Sequence, residues 1–186
     1  EEMHNRRTNS ALAGSQTTAN GLRQDDKRYA EAMTLFAQNK LHISDKTTIT
    51  PGFRAERYSQ KRDVTIYDGD GPSSTKTDNT EFIPGVGMTH KFAQELTLFA
   101  GVHKGFAPPR VADAISNDGS AVDLDAERST NYEIGLRGRT ENANYEIAFF
   151  RLDFENQIVQ ATESGGAGTQ STNAGKTLNQ GIELSG

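Results

Sequence analysis

The stretch Glu95-Leu96-Thr97-Leu98-Phe99-Ala100-Gly101-Val102-His103-Lys104-Gly105-Phe106 decides the fold. Side chains of a strand alternate between its two faces. Leu96, Leu98, Ala100 and Val102 therefore share one face, and Glu95, Thr97, Gly101 and His103 share the other with Phe99. The same reading puts Tyr132, Ile134 and Leu136 opposite Asn131, Glu133, Arg137 and Arg139, and Ile49, Pro51, Phe53 and Ala55 opposite Thr50, Arg54 and Glu56. It also puts Ala148, Phe150, Leu152 and Phe154 opposite Arg151, Asp153 and Glu155, with the charged side read as inward-facing. One face is apolar and the other charged throughout.

Working outward, alternation predicts strands over 2–7, 28–43, 47–60, 81–92, 95–106, 131–140, 144–159 and 172–186. Short connections at Ser44-Asp45-Lys46, Ala93-Gln94 and Glu141-Asn142-Ala143 suit tight hairpins. They alternate with long connections over 8–27, 61–80, 107–130 and 160–171, which hold most of the Gly, Ser, Asn and Asp. An up-and-down meander built this way carries all its turns on one rim and all its long loops on the other. Bacterial outer-membrane barrels have that asymmetry. Most segments also reach the nine to eleven tilted residues that a spanning strand needs. Tyr29, Tyr132, Tyr145 and Phe106 are the candidates for the interfacial aromatic belt, since the chain has no Trp.

Composition agrees with a two-faced sheet. The 186 residues are 33% hydrophobic and 24% charged, with 18 glycines and a formal net charge of -5; mean hydropathy is -0.70. Alternation halves the demand for apolar residues, and long loops dilute it further. With no cysteine there is no disulfide framework and no thiolate metal site. A pI near 5.4 speaks against nucleic acid as a partner.

The motifs that imitate other chemistries lack their context. Gly175-Lys176-Thr177 ends like a phosphate-binding loop, yet Gln170 stands where that loop needs its first glycine. Asp68-Gly69-Asp70-Gly71 has the residues of a calcium loop without its ligand register or closing Glu, and reads as a turn. His90 and His103 have opposite parity and cannot share a metal, so no metal site and no catalytic residue is expected.

His103-Lys104-Gly105-Phe106-Ala107-Pro108-Pro109-Arg110, followed by Leu124-Asp125-Ala126-Glu127-Arg128-Ser129-Thr130-Asn131-Tyr132-Glu133-Ile134-Gly135-Leu136-Arg137-Gly138, resembles the late barrel of TonB-dependent outer-membrane receptors. Phe150–Val159, Asn173-Ala174-Gly175-Lys176-Thr177 and Gln180-Gly181-Ile182-Glu183-Leu184 resemble the strands that follow in that family, and Thr50-Pro51-Gly52-Phe53-Arg54 extends the likeness upstream. The resemblance implies an all-β, antiparallel, up-and-down transmembrane barrel in the bacterial outer membrane. Residues 1–186 would be a fragment of about eight strands from a barrel of roughly 22, without plug domain or terminal strand. It implies a receptor and not an enzyme, with no cofactor. A ferric chelate, ferric citrate or another iron-siderophore, would be the transported ligand. Its other partners would be the TonB complex, reached through the plug, and outer-membrane lipid with lipopolysaccharide. A complete small barrel acting as adhesin or structural protein, and an outer-membrane hydrolase, are the rival readings.

Recognition of a polyanionic chelate calls for guanidinium groups near the outer mouth, because arginine offers permanent, bidentate contacts to carboxylates. Arg6, Arg7 and Arg110 stand where strands leave for long loops, and Arg23 and Arg28 flank the first loop on its return, so these five are the candidate ligand-binding residues. Pro108-Pro109 must end the strand before it, since proline cannot donate to a ladder. The loop that starts there is long enough to act as a lid or binding element.

Overall fold

The computed structural model of the chain describes residues 2–8, 22–67, 71–160, 171–173 and 175–186. Its main sheet is an antiparallel meander of β1 (Glu2–Thr8), β2 (Leu22–Gln38), β4 (Thr47–Tyr67), β5 (Ser73–Ala93), β6 (Leu96–Ala107), β7 (Glu127–Arg139), β8 (Asn144–Glu155) and β11 (Thr177–Ser185), each hydrogen-bonded to the next. Between β2 and β4, β3 (Leu41–His42) pairs with β4; a separate ribbon joins β9 (Ile158–Val159) to β10 (Thr172–Asn173). One helical turn, α1 (Val111–Ala114), lies in the β6–β7 connection.

The turns form where the sequence supplies their chemistry. Ser44 Oγ accepts from the amides of Lys46 and Thr47 at 3.3 and 3.1 Å. Thr140 Oγ1 accepts from the Ala143 amide at 3.1 Å while the Thr140 amide donates to the Ala143 carbonyl at 2.8 Å. Strand β6 stops at Ala107, immediately before the two prolines, as expected.

Cross-strand register defines the two faces. Along the apolar face Leu98 opposes Leu136, which opposes Ile147, which opposes Leu184. Ala100, Ile134, Phe149 and Ile182 form the next such row. Many side chains of this face are exposed, including Phe53, Phe82, Val86, Ile134, Phe149, Ile182 and Leu184, so among the described residues it has no partner layer. Tyr132 and Tyr145 stand on it toward its two ends, in belt positions.

Three expectations need correction. Strand β8 is reversed: Ile147 and Phe149 face the apolar side, and Arg151 follows them opposite Tyr132, so Ala148, Phe150 and Leu152 face the polar side. Both parities of this strand carry apolar residues, and pairing with β7 decides between them. Phe106 leaves the belt, because β5 and β6 part after Gly85–His103 and Phe106 then stacks on Tyr58, ring centroids 6.0 Å apart. The connection read over 61–80 is largely hairpin, with β4 and β5 paired up to Val64–Ser73. At 21 residues each, these strands far exceed the nine to eleven that cross a bilayer.

Buried residues cluster at the loop end of the polar face. Tyr58, Gln60, Arg62 and Val64 succeed one another on one side of β4, and Pro109, Ala114, Ile115, Gly119, Leu124 and Ala126 of the β6–β7 connection are buried with them. That connection is a packed cap.

Candidate functional site at the loop end of the polar face

The site is built on the ladder between β2 and β4. Register sets Arg28 directly opposite Arg62, a like-charge pairing that is unfavourable unless a counter-charge intervenes. Asp26 supplies it: its Oδ2 accepts from Arg28 Nε at 2.7 Å and from Arg62 Nε at 3.1 Å, and its Oδ1 accepts from Gln24 Nε2 at 2.7 Å. Asp26 lies opposite Val64 and two residues from Arg28, so alternation puts it on this face with Arg28 and Arg62; the ladder slips by one residue, at Thr65 of β4, only beyond it. Arg62 and Asp26 are completely buried. Removing such charges from water costs several kcal/mol each unless every donor is used.

The β6–β7 cap supplies an acceptor to each terminal nitrogen of Arg62. Arg62 Nη1 donates to the Ile115 carbonyl at 2.8 Å and Nη2 to Asn117 Oδ1 at 2.9 Å. Gln60 Nε2 donates to the Pro109 carbonyl at 2.6 Å, Ser73 Oγ to the Asp118 carbonyl at 3.1 Å, and Thr75 Oγ1 to the Gly119 carbonyl. Asp118 organises the tip of the cap. Its carboxylate accepts from Ser116 Oγ and, at 2.9 Å, from the Ser120 amide, and these bonds hold its pKa below the ordinary carboxylate value. Gly119 has φ +83° and lies against Ser73, so both its backbone and its contact exclude a side chain.

A second charged contact ties β7 to the hairpin. Arg128 donates to both oxygens of Glu81, Nε at 3.0 Å and Nη2 at 2.7 Å. Tyr58 lies beside this pair, and burial, reinforced by the Glu81 charge, raises its phenol pKa. Below it the polar face is smooth, a hollow lined by Gly52, Gly85, Gly87, Gly101 and Gly105 with Arg54, His103 and Glu133 at its sides.

The structure places the predicted arginines as follows. Arg6 and Arg7 lie in β1 at register positions opposite Asp25 and Gln24, and Arg23 lies at the start of β2. Arg28 belongs to the buried cluster. Arg110, at the start of the cap, is exposed and pairs with Asp113, Nε to Oδ2 at 2.7 Å. Arg28 and Arg110 are thus both engaged within the chain. Sequence reasoning missed Arg62, Asp26 and Asn117. Around Arg62 the stretch Ser59-Gln60-Lys61-Arg62 is polar at every position, so a hydrophobic period has nothing to register there. Among the described residues no three His, Cys, Asp or Glu side chains are grouped to hold a metal ion. His90 and His103 fall on opposite faces.

A twisted antiparallel meander with an unpartnered apolar face, belt tyrosines and a polar, capped opposite face defines a transmembrane β-barrel wall. Comparison with known proteins agrees: residues 3–186 match the family model of the TonB dependent receptor-like β-barrel, and the chain belongs to that family. Its members are outer-membrane barrels of Gram-negative bacteria, transporters rather than enzymes. The apolar face is therefore the lipid face and the polar face the lumen.

The chain is similar to the metal-pseudopaline receptor CntO of Pseudomonas aeruginosa, 26% identical over 165 residues, covering 87% of this chain and 22% of that protein. It is also similar to the ferrienterobactin receptor of Escherichia coli K12, 25% identical over 147 residues, covering 69% and 17%. In fold it matches the ferric citrate transporter FecA in its unliganded form, with a TM-score of 0.74 at 21% identity over 98% of this chain and 26% of that one. The ferric-catecholate import receptor Fiu of E. coli K12 follows, with a TM-score of 0.69 at 17% identity, covering 95% and 27%. The chain thus spans about a fifth of the length of the curated relatives it matches.

Proposed function

We propose that residues 1–186 form part of the wall and outer mouth of a receptor that imports an anionic metal chelate, of the ferric citrate or ferric siderophore kind, across the outer membrane. The observation that carries this reading is the family match over 3–186, together with arginines gathered at the loop end of a polar lumen. In the complete protein, chelate would bind among the outer loops, and a plug domain coupled to TonB would then open the path. Arg6, Arg7, Arg23, Arg28 and Arg110 are the proposed ligand contacts. Lipopolysaccharide would meet the charged rim above the lipid face, where Arg151 pairs with Asp153 at 3.0 Å. Neither a complete small barrel nor a hydrolase has an observation in its favour.

The test is uptake of radiolabelled iron by cells whose only chelate receptor is the full-length protein. Ferric citrate or ferric enterobactin should enter only when TonB is present. Alanine at Arg6, Arg7 and Arg110 together should weaken binding of the transported chelate. Absence of TonB-dependent uptake for both chelates would reject the reading.

A further inference from the structure

We infer that Arg28, Arg62 and Asp26 form an anion-binding site whose Arg62 guanidinium the β6–β7 cap now occupies with its own oxygen atoms, so that an anionic chelate and the docked cap compete for that guanidinium. The inference rests on the receptor reading above. It adds the residues at which the ligand's charge is read and the segment that must leave.

The cluster sets two guanidinium groups against one carboxylate, so these three side chains carry a surplus positive charge. Both are held at their Nε by Asp26, which leaves the outer edge of the Arg62 fork to be filled from elsewhere. What fills it are two neutral oxygens, the Ile115 carbonyl at 2.8 Å and Asn117 Oδ1 at 2.9 Å, one on each terminal nitrogen. That is the pattern a ligand carboxylate would present with both its oxygens, and a charged acceptor binds such a fork more strongly than neutral ones do. The incumbent is the weaker acceptor.

The cap also resembles an anion in composition. Residues 108–126 contain one arginine and four aspartates, Asp113, Asp118, Asp123 and Asp125. An acidic segment docked over a cationic cluster lowers the local positive potential, and its departure would restore that potential to the lumen. The docked state is imperfect as well. Gln60, whose Nε2 donates to the Pro109 carbonyl of the cap, keeps its Oε1 buried without a hydrogen-bond partner. A buried polar atom in that condition penalises the state that buries it, a cost that release of the cap would relieve.

The experiment uses the full-length receptor in detergent micelles, spin-labelled at Thr65→Cys on the wall and Ala121→Cys on the cap, both exposed positions, with ferric citrate and ferric enterobactin as probes. Whichever chelate binds should lengthen the distance between the labels. Arg62→Lys, which keeps the charge but loses the fork, should weaken its binding by about tenfold or more. Gly119→Ala alters the cap without touching the cluster; it should lengthen the distance in the absence of chelate and strengthen binding. Binding with an unchanged distance, or binding by Gly119→Ala no stronger than wild type, overturns the competition while leaving the receptor reading intact. If Arg62→Lys does not assemble, the Gly119→Ala result decides. If wild-type receptor binds neither probe, the receptor reading for these anions fails, and this inference with it.

Discussion

At the scale of single residues, two contacts carry testable weight. Phe99 opposes Gly135 in register, and its ring lies over the bare glycine, while the Ile147 carbonyl closes on the same glycine from the next strand. A Cβ there meets backbone, which cannot turn aside as a side-chain tip can. Gly135→Val should therefore destabilise the folded receptor by about 1–3 kcal/mol, read as a lowered denaturant midpoint in liposomes. The other contact is the bidentate Arg128–Glu81 pair, in which the Glu81 side chain is 12% exposed. Arg128→Ala leaves that carboxylate without its charged donor and should cost about 1.5–3 kcal/mol. A double-mutant cycle with Glu81→Ala should return a coupling above the ~1 kcal/mol ceiling of exposed pairs; a smaller value would place the pair among ordinary surface bridges.

At the scale of elements, the β6–β7 cap behaves as a small folded unit whose tip depends on one carboxylate. Asp118 has a pKa lowered from 3.8 by its serine hydroxyl and amide donors. A lowered folded-state pKa means that these bonds contribute fully above the unfolded value and are lost as pH falls through the lower, folded value. Nitroxide mobility at Ala121→Cys should accordingly be constant above about pH 4 and rise as the solution is acidified further. Asp118→Asn should remove that step. Asp63, also lowered by Lys61 and Ser74 on the β4–β5 hairpin, titrates in the same window, but Asp63→Asn should leave the cap's response in place. A cap response that persists in Asp118→Asn would assign the acid sensitivity elsewhere.

At the scale of the whole molecule, the lipid face and the sheet edges govern behaviour. Ile134 sits in the row Ala100, Ile134, Phe149, Ile182 and is half exposed, with nothing among the described residues to cover it. Ile134→Lys should destabilise the receptor in bilayers by about 2–4 kcal/mol, whereas Glu133→Gln, one residue away on the lumenal face, should stay within about 0.5 kcal/mol of wild type. Residues 1–186 expressed alone should aggregate in buffer and disperse in detergent. Among the described residues β1 and β11 each pair on one side only, and an open edge beside a bare apolar face invites association. A monodisperse, detergent-free monomer would contradict the lipid-face assignment.

Alternation by itself determined the eight-strand meander, the position of its turns, the exit at Pro108-Pro109 and the apolar parity of β4, β6 and β7, because one face of each of these strands meets lipid and must be apolar. It failed wherever that pressure is absent. Above the membrane both faces of Ser73-Ser74-Thr75-Lys76-Thr77-Asp78 are polar, so the hairpin carries no hydrophobic period. In β8 both parities hold apolar residues, and only pairing with β7 sends Phe149 outward and Phe150 inward. The Arg62 cluster was beyond reach for a related reason. A buried charge is defined by its partners, and Asp26 on β2 and the Ile115–Asn117 stretch of the cap are both far from Arg62, and from each other, in the chain. Only the tertiary structure, by folding the cap back onto the wall, could bring them to one guanidinium.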